Sequence, residues 1–145
     1  MSKIFFDSNL FIYLVEDYGD LSKRVSELRV RMLARNDQLY TSTLTLGEVL
    51  VKPVGINDEE GIQRFVQTLT ATSLLVSFDQ KASLAYASIR QDRSIKAPDA
   101  IQLACAASVG IDLFITNDNR LAKKSVSGIQ FITSLEGATS LMEGE

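Results

Sequence analysis

Four acidic residues, Asp7, Glu48, Asp99 and Asp118, each stand close to a point where an apolar strand or helix begins or ends. Asp7 follows the apolar run Lys3 to Phe6, and Glu48 lies among Leu44, Leu46, Val49 and Leu50 on a helix entered from a strand end. Asp99 follows Pro98, which suits the first helical position because no backbone N–H is needed there. Asp118 follows the short apolar strand Leu113-Phe114-Ile115. In open α/β sheets ligands bind in the crevice beyond the carboxyl ends of the strands, and these acids are placed to reach that edge. If four ionised carboxylates converge within roughly 6 Å, each pair repels by about 3 kcal/mol at an effective dielectric near 20, and six pairs give on the order of 15–20 kcal/mol. A small domain has a total stability of about 5–15 kcal/mol, so partial protonation or bound cations must offset the repulsion. The chain contains no histidine and one cysteine. That removes serine–histidine and cysteine–histidine catalysis and all histidine metal sites, and leaves an all-oxygen site suited to Mg²⁺ or Mn²⁺. Two such ions would cancel the four charges, hold a phosphodiester, supply a nucleophile from water and stabilise the departing oxygen.

Singly, each acid has a plainer reading. Asp7 and Asp118 suit helix caps, Asp99 a first-turn acid stabilised by the helix dipole, and Glu48 the ion-pair partner of Lys52 one turn later. The four together favour the cluster.

Five strands and the helices between them must do the positioning. The strands read as Lys3–Phe6, Leu39–Thr41, Leu74–Val76, Leu113–Ile115 and Ile129–Ile132. Asp7, Ser8 and Asn9 can each cap the helix Leu10–Val15, whose residues are apolar around most of its circumference and therefore buried in the core. Leu21, Val25, Leu28 and Met32 recur at helical spacing, with Lys23, Arg24, Arg29, Arg31 and Arg35 over the remaining surface. Ser42 or Thr43 caps a helix running from Leu44 to about Val51 and halted near Pro53 and Gly55. Asn57 or Asp58 opens another, with Ile62, Phe65, Val66 and Leu69 on one stripe. Asp79 opens the next, which carries Ala82, Ala85, Tyr86 and Ile89 inward and ends in the basic segment Arg90 to Lys96. The Ala-rich helix starting at Pro98-Asp99 runs to about Val109 and stops at Gly110, and a closing helix spans Ser134 to Leu141. Helices alternating with short apolar strands predict an α/β fold with a central parallel five-stranded sheet covered on both faces.

With 145 residues, 46% hydrophobic and 23% charged, the chain fits one globular domain over 1–145. No apolar run is long enough to cross a membrane, and Met1-Ser2-Lys3-Ile4 is not a cleavable signal pattern, so a cytoplasmic location is expected. Cys105, between Ala104 and Ala106, reads as a small core residue. A net charge of −3 argues against a broad basic face for nucleic acid, so any such contact must be local.

Four segments carry a family resemblance: F-F-D-S-N-L at 5 to 10, T-L-G-E-V-L at 45 to 50, I-K-A-P-D-A-I-Q-L-A at 95 to 104 and L-F-I-T-N-D-N-R-L at 113 to 121. In this order and spacing the chain resembles the PIN-domain ribonucleases of the VapC toxin type. The resemblance implies a three-layer α/β/α fold and a Mg²⁺- or Mn²⁺-dependent endoribonuclease whose metal ligands are Asp7, Glu48, Asp99 and Asp118. It implies that Thr116 is the hydroxyl residue near the last acid, and that Asn9 or Ser8 orients Asp7 or a water. It further implies a homodimer and a VapB-type antitoxin covering the site. The cations nearest the acids in sequence, Arg90, Arg93 and Lys96 before Asp99, and Arg120, Lys123 and Lys124 after Asp118, are the expected RNA backbone contacts. A processing nuclease without an antitoxin, or a non-catalytic RNA- or protein-binding module, are the alternative readings.

Overall fold

The computed structural model describes residues 1–143, in which five strands and seven α-helices follow the expected alternation. The strands β1 (Lys3–Phe6), β2 (Gln38–Ser42), β3 (Leu74–Val76), β4 (Ile111–Thr116) and β5 (Ile129–Ser134) form one sheet in the order β3-β2-β1-β4-β5. Every pairing is parallel, with Phe5 opposite both Tyr40 of β2 and Phe114 of β4.

Alternating side chains of the central strands feed two cores, as the two-residue strand period requires. Ile4, Phe6 and Ile115 point to one face, where α1 (Ser8–Val15), α2 (Asp20–Arg35), α3 (Thr43–Gly55), α4 (Glu59–Thr72) and α7 (Leu135–Glu143) contribute buried residues. Phe5 and Phe114 point to the other and stack with ring centroids 5.0 Å apart beneath α5 (Gln80–Ile89) and α6 (Ala97–Val109). The result is the three-layer α/β/α architecture expected of the sequence. Helix α1 is inward-facing as predicted, with Leu10 and Phe11 fully buried, and Cys105 is buried, its thiol pushed up to about 11 by burial and the charge of Asp79. No helix among the described residues is long and apolar enough to cross a membrane.

The caps lie where the sequence puts them. Asp7, Ser42, Asp58 and Asp79 each accept a backbone N–H of the helix they precede. Helix α3 runs past Val51 to Gly55 with Pro53 inside it. Pro53 sits in the last turn, where its missing N–H costs a single ladder bond and the chain is about to leave the helix anyway. The α2 cations serve the fold: Arg24 pairs with Asp20, Arg35 with the buried Asp37, and Arg31 donates to the Met142 carbonyl of α7.

Helix α6 is the tightest-packed element. Ala100, Ala104 and Ala106 are fully buried, and a Cβ on Gly128 would stand 2.8 Å from the Ala107 carbonyl oxygen, so glycine is required there for the chain to pass. Substitution of Ala104 by Leu is expected to cost about 1–3 kcal/mol in chemical denaturation, because a core without room must shift to accept the added carbons. An unchanged denaturation midpoint would show that α6 does not lie close to the sheet.

Candidate active site

Three adjacent central strands end at one edge of the sheet, and each delivers part of the site. Strand β1 ends into Asp7, β2 ends at Ser42 where α3 and Glu48 begin, and β4 ends at Thr116, two residues before Asp118. Helix α6 closes at Gly110, whose left-handed conformation (φ 68°) turns the chain directly into β4. Since β4 starts at the amino edge, the first turn of α6, with Asp99, lies at the carboxyl edge beside the other three. The strand order reverses at β1, the topological switch point where α/β sheets open a crevice.

Thr116, fully buried at the end of β4, ties two of the acids together. Its hydroxyl donates to Asp7 Oδ2 at 2.8 Å and accepts the Asp118 backbone N–H at 3.1 Å. Asp7 Oδ1 accepts the Ser8 N–H, which fixes the carboxylate at the start of α1. Asp118 Oδ1 accepts the N–H groups of Arg120 and Leu121 and so caps a short 3₁₀ turn, Leu121–Lys123, that the sequence pattern did not reveal. One side chain thus serves both the turn after β4 and contact with an acid.

Glu48 is held differently from its plainer reading. Lys52 faces Glu16 across 3.8 Å, while Glu48 Oε1 accepts the Ser8 hydroxyl at 2.7 Å. Beneath it lies a buried network absent from the sequence reading. The Gln102 side-chain amide lies 2.8 Å from Thr45 Oγ1, 3.1 Å from Ser8 Oγ and 3.2 Å from Glu48 Oε1, and its carbonyl accepts the Ser42 hydroxyl. Thr41 completes the group by contacts to Thr45 Oγ1 and the Phe6 carbonyl. Gln102, 1% exposed, is the one amide in the apolar core of α6, and a lone polar residue three positions after Asp99 is the signal that could have found it. Ser8 thus holds Glu48 through its hydroxyl and Asp7 through its backbone. Asn9 is exposed and makes no side-chain hydrogen bond among the described residues.

The acids influence one another, with burial as the leading cause. Burial pushes the Asp7 carboxyl up from 3.8 to about 6; the hydrogen bonds from Thr116 and Ser8 oppose this, and the charges of Asp99 and Glu48 add to it. Asp99 is also raised, by burial first and then by Asp118 and Glu48, against the cations Lys96 and Arg120. Desolvation therefore outweighs both the hydrogen bonds and the favourable helix start at Asp7.

Asp99 and Asp118 line a cleft of about 470 Å³ whose other walls include Lys96, Arg120, Lys123 and Lys124. Four expected cations thus reach the acids. Arg90 instead lies over the Tyr86 ring on α5, and Arg93, on the α5–α6 turn, is not among the residues of the cleft wall.

The PIN domain family model matches residues 4–126. The chain belongs to the PIN-domain family. The PIN fold recurs in solved structures described as toxin–antitoxin assemblies. The VapBC2 complex of Rickettsia felis bound to a promoter DNA fragment matches at TM-score 0.69 with 14% identity, covering 91% of this chain and 98% of the matched chain. A toxin–antitoxin complex from Klebsiella pneumoniae matches at TM-score 0.62 with 25% identity, covering 87% and 94%. The DNA-bound VapBC of Salmonella typhimurium matches at TM-score 0.64 with 19% identity, covering 93% and 99%. A search of curated proteins gives no match.

The four acids offer only oxygen, and burial with neighbouring carboxylates pushes Asp7 and Asp99 toward protonation, chemistry that suits a hard divalent cation. As the side chains stand, no three Asp, Glu, His or Cys among the described residues could hold a metal ion together. Asp7 and Glu48 are engaged by hydroxyl and amide donors, whereas Asp99 makes no side-chain hydrogen bond among the described residues.

Proposed function

We propose that this PIN domain is a Mg²⁺- or Mn²⁺-dependent endoribonuclease and the toxin of a VapBC-type pair. The arrival of Asp7, Glu48, Asp99 and Asp118 at one sheet edge, two of them in a cleft walled by four cations, carries the reading. The four acids are the ligand set, and a shared ion forms its full shell only after carboxylates turn from their present partners. A bound Mg²⁺ or Mn²⁺ would supply Lewis acidity to the phosphoryl oxygens and lower the pKa of an attacking water.

The protein's own groups do the rest. Lys96, Arg120, Lys123 and Lys124 bind the RNA backbone beside the acids and set its direction through the cleft. Thr116 holds Asp7, and Ser8 with Gln102 holds Glu48 by Oε1. Preorganised side chains of this kind keep the ligands in place without reorganisation during the reaction. Likeness to the VapBC structures supports an antitoxin partner; a homodimer and a cytoplasmic location are part of the same proposal. The exposed apolar side chains Val51, Val54 and Ile56 at the end of α3 supply a face that a protein partner can cover.

The test is cleavage of structured RNA by the purified chain freed of antitoxin. Cutting is expected with Mg²⁺ or Mn²⁺ and not in EDTA. Intact RNA with both metals, or cutting that persists in EDTA, would end this reading.

A further inference from the structure

A second groove, also about 470 Å³, adjoins the cleft and differs from it in chemistry. Ile95 lines both. The ridge between them is built by Lys124, whose Nζ lies 2.9 Å from Asp92 Oδ2 and 2.6 Å from Ser94 Oγ. Asp92 also accepts the backbone N–H and hydroxyl of Ser94, so the ridge is tied from both sides. On the near side of this ridge stand Lys96, Arg120, Lys123 and Lys124. On the far side the only charged lining residue is Asp92, which Lys124 already pairs. There the exposed Leu84 and the half-buried Ala85 and Val126 offer apolar surface over the buried Ile89 and Ile95, and Ser88, Ser125 and Ser127 offer hydroxyls that make no side-chain hydrogen bond among the described residues.

We propose that the groove beyond the Asp92–Lys124 ridge is a nucleobase subsite for single-stranded RNA, seating a base next to the nucleotide whose phosphate lies in the cationic cleft. The proposal rests on the reading of the cleft as an RNA phosphate site. A nucleotide has an anionic half and an uncharged half with flat apolar faces and a polar edge. The two grooves divide in the same way, and they are continuous across one ridge. Single-stranded RNA is recognised by proteins through splayed bases that stack, most often on aromatic side chains, and hydrogen-bond by their edges; here aliphatic side chains would cover the faces. Leu84, Ala85 and Val126 would meet the faces and the three serines the edge, while Lys124 Nζ on the ridge would meet the connecting phosphate. A neutral peptide anchor would find the apolar surface equally suitable but would make no use of the adjoining Lys96, Arg120 and Lys123.

The test is binding of 5′-labelled oligoadenylate, oligouridylate and an abasic ribose-phosphate chain of equal length, followed by fluorescence anisotropy in EDTA. Ser88→Trp fills the groove from α5 and Ser127→Trp fills it from the opposite wall; neither residue belongs to the proposed catalytic set. Both variants are expected to bind the base-bearing chains about tenfold or more weakly, the loss of a stacked base, and the abasic chain as the wild type does. Equal weakening of all three chains, or of none, would overturn the subsite, as would a wild type that fails to prefer base-bearing chains. A change in oligomeric state of either variant by light scattering would assign the groove to a second copy of the chain instead. Failure of the nuclease reading is distinguishable, since it would show as RNA left uncut with Mn²⁺ whatever the binding comparison gives.

Discussion

Replacement of Asp99 by Asn is expected to lower RNA cleavage by about 10³-fold while leaving the protein folded. A metal ligand supplies several kcal/mol of transition-state stabilisation, and each 1.36 kcal/mol is a factor of ten in rate. Asp99 is partly buried on the cleft wall and makes no side-chain hydrogen bond among the described residues, so its removal orphans no donor. Asparagine keeps the size and removes a charge that repels Asp118 and Glu48. Thermal stability is therefore expected to stay level or rise. Steady-state cleavage with Mg²⁺ and with Mn²⁺, read beside Tm, checks both halves. A variant that cuts within a few-fold of wild type removes Asp99 from the ligand set, and one that melts far lower makes it structural.

The second large effect concerns Asp7 in the metal-free protein. Its carboxyl is raised from 3.8 to about 6, so the native state binds the proton more tightly than the unfolded chain does. Below pH 3.8 both states are protonated and the group costs nothing. As pH rises through the window from about 4 to 6 the unfolded state gains by ionising first. Above 6 the native state carries the full penalty, about 3 kcal/mol at 1.36 kcal/mol per pH unit. Asp7→Asn removes this penalty and weakens part of the Thr116 and Ser8 contacts. The expected net gain at pH 7.5 in EDTA is about 2 kcal/mol, or about 4–8 °C in Tm for a chain of this size. At pH 4 the gain should vanish, and cleavage with added metal should be lost at any pH. A variant less stable than wild type at pH 7.5, or one whose advantage persists at pH 4, would contradict the assignment of burial as the dominant influence on Asp7.

Much of this arrangement is local and therefore readable from the chain. Asp7, Ser42, Asp58 and Asp79 are caps recognisable by residue type just before an apolar helical pattern, and each caps as expected. Gly110 marks the end of α6 because the left-handed turn into β4 favours glycine. The parts that were not legible depend on pairing over long separations. Ser8, Thr45 and Gln102 become one network only when α1, α3 and α6 meet, and nothing near Glu48 in sequence distinguishes its partner Ser8 from Lys52 one turn away. The short turn at Leu121–Lys123 has no periodicity to detect and is held by the Asp118 carboxylate. Proximity along the chain groups Arg90 and Arg93 with Lys96, whereas in the fold the end of α5 sets Arg90 over Tyr86.

The place of β1 at the centre of the sheet has a consequence for the order of synthesis. Strand β1 pairs with β2 on one side and with β4 on the other, and the second partner begins more than a hundred residues later in the chain. Until Ile111–Thr116 has left the ribosome, β1 is an open edge, Asp7 lacks the hydroxyl of Thr116, and Asp118 has not followed. A nascent chain that stops short of β4 therefore has three of the four acids and only part of the cleft wall. Cutting activity should arise in one step as the last third of the polypeptide docks, and a fragment released early during translation carries none of it.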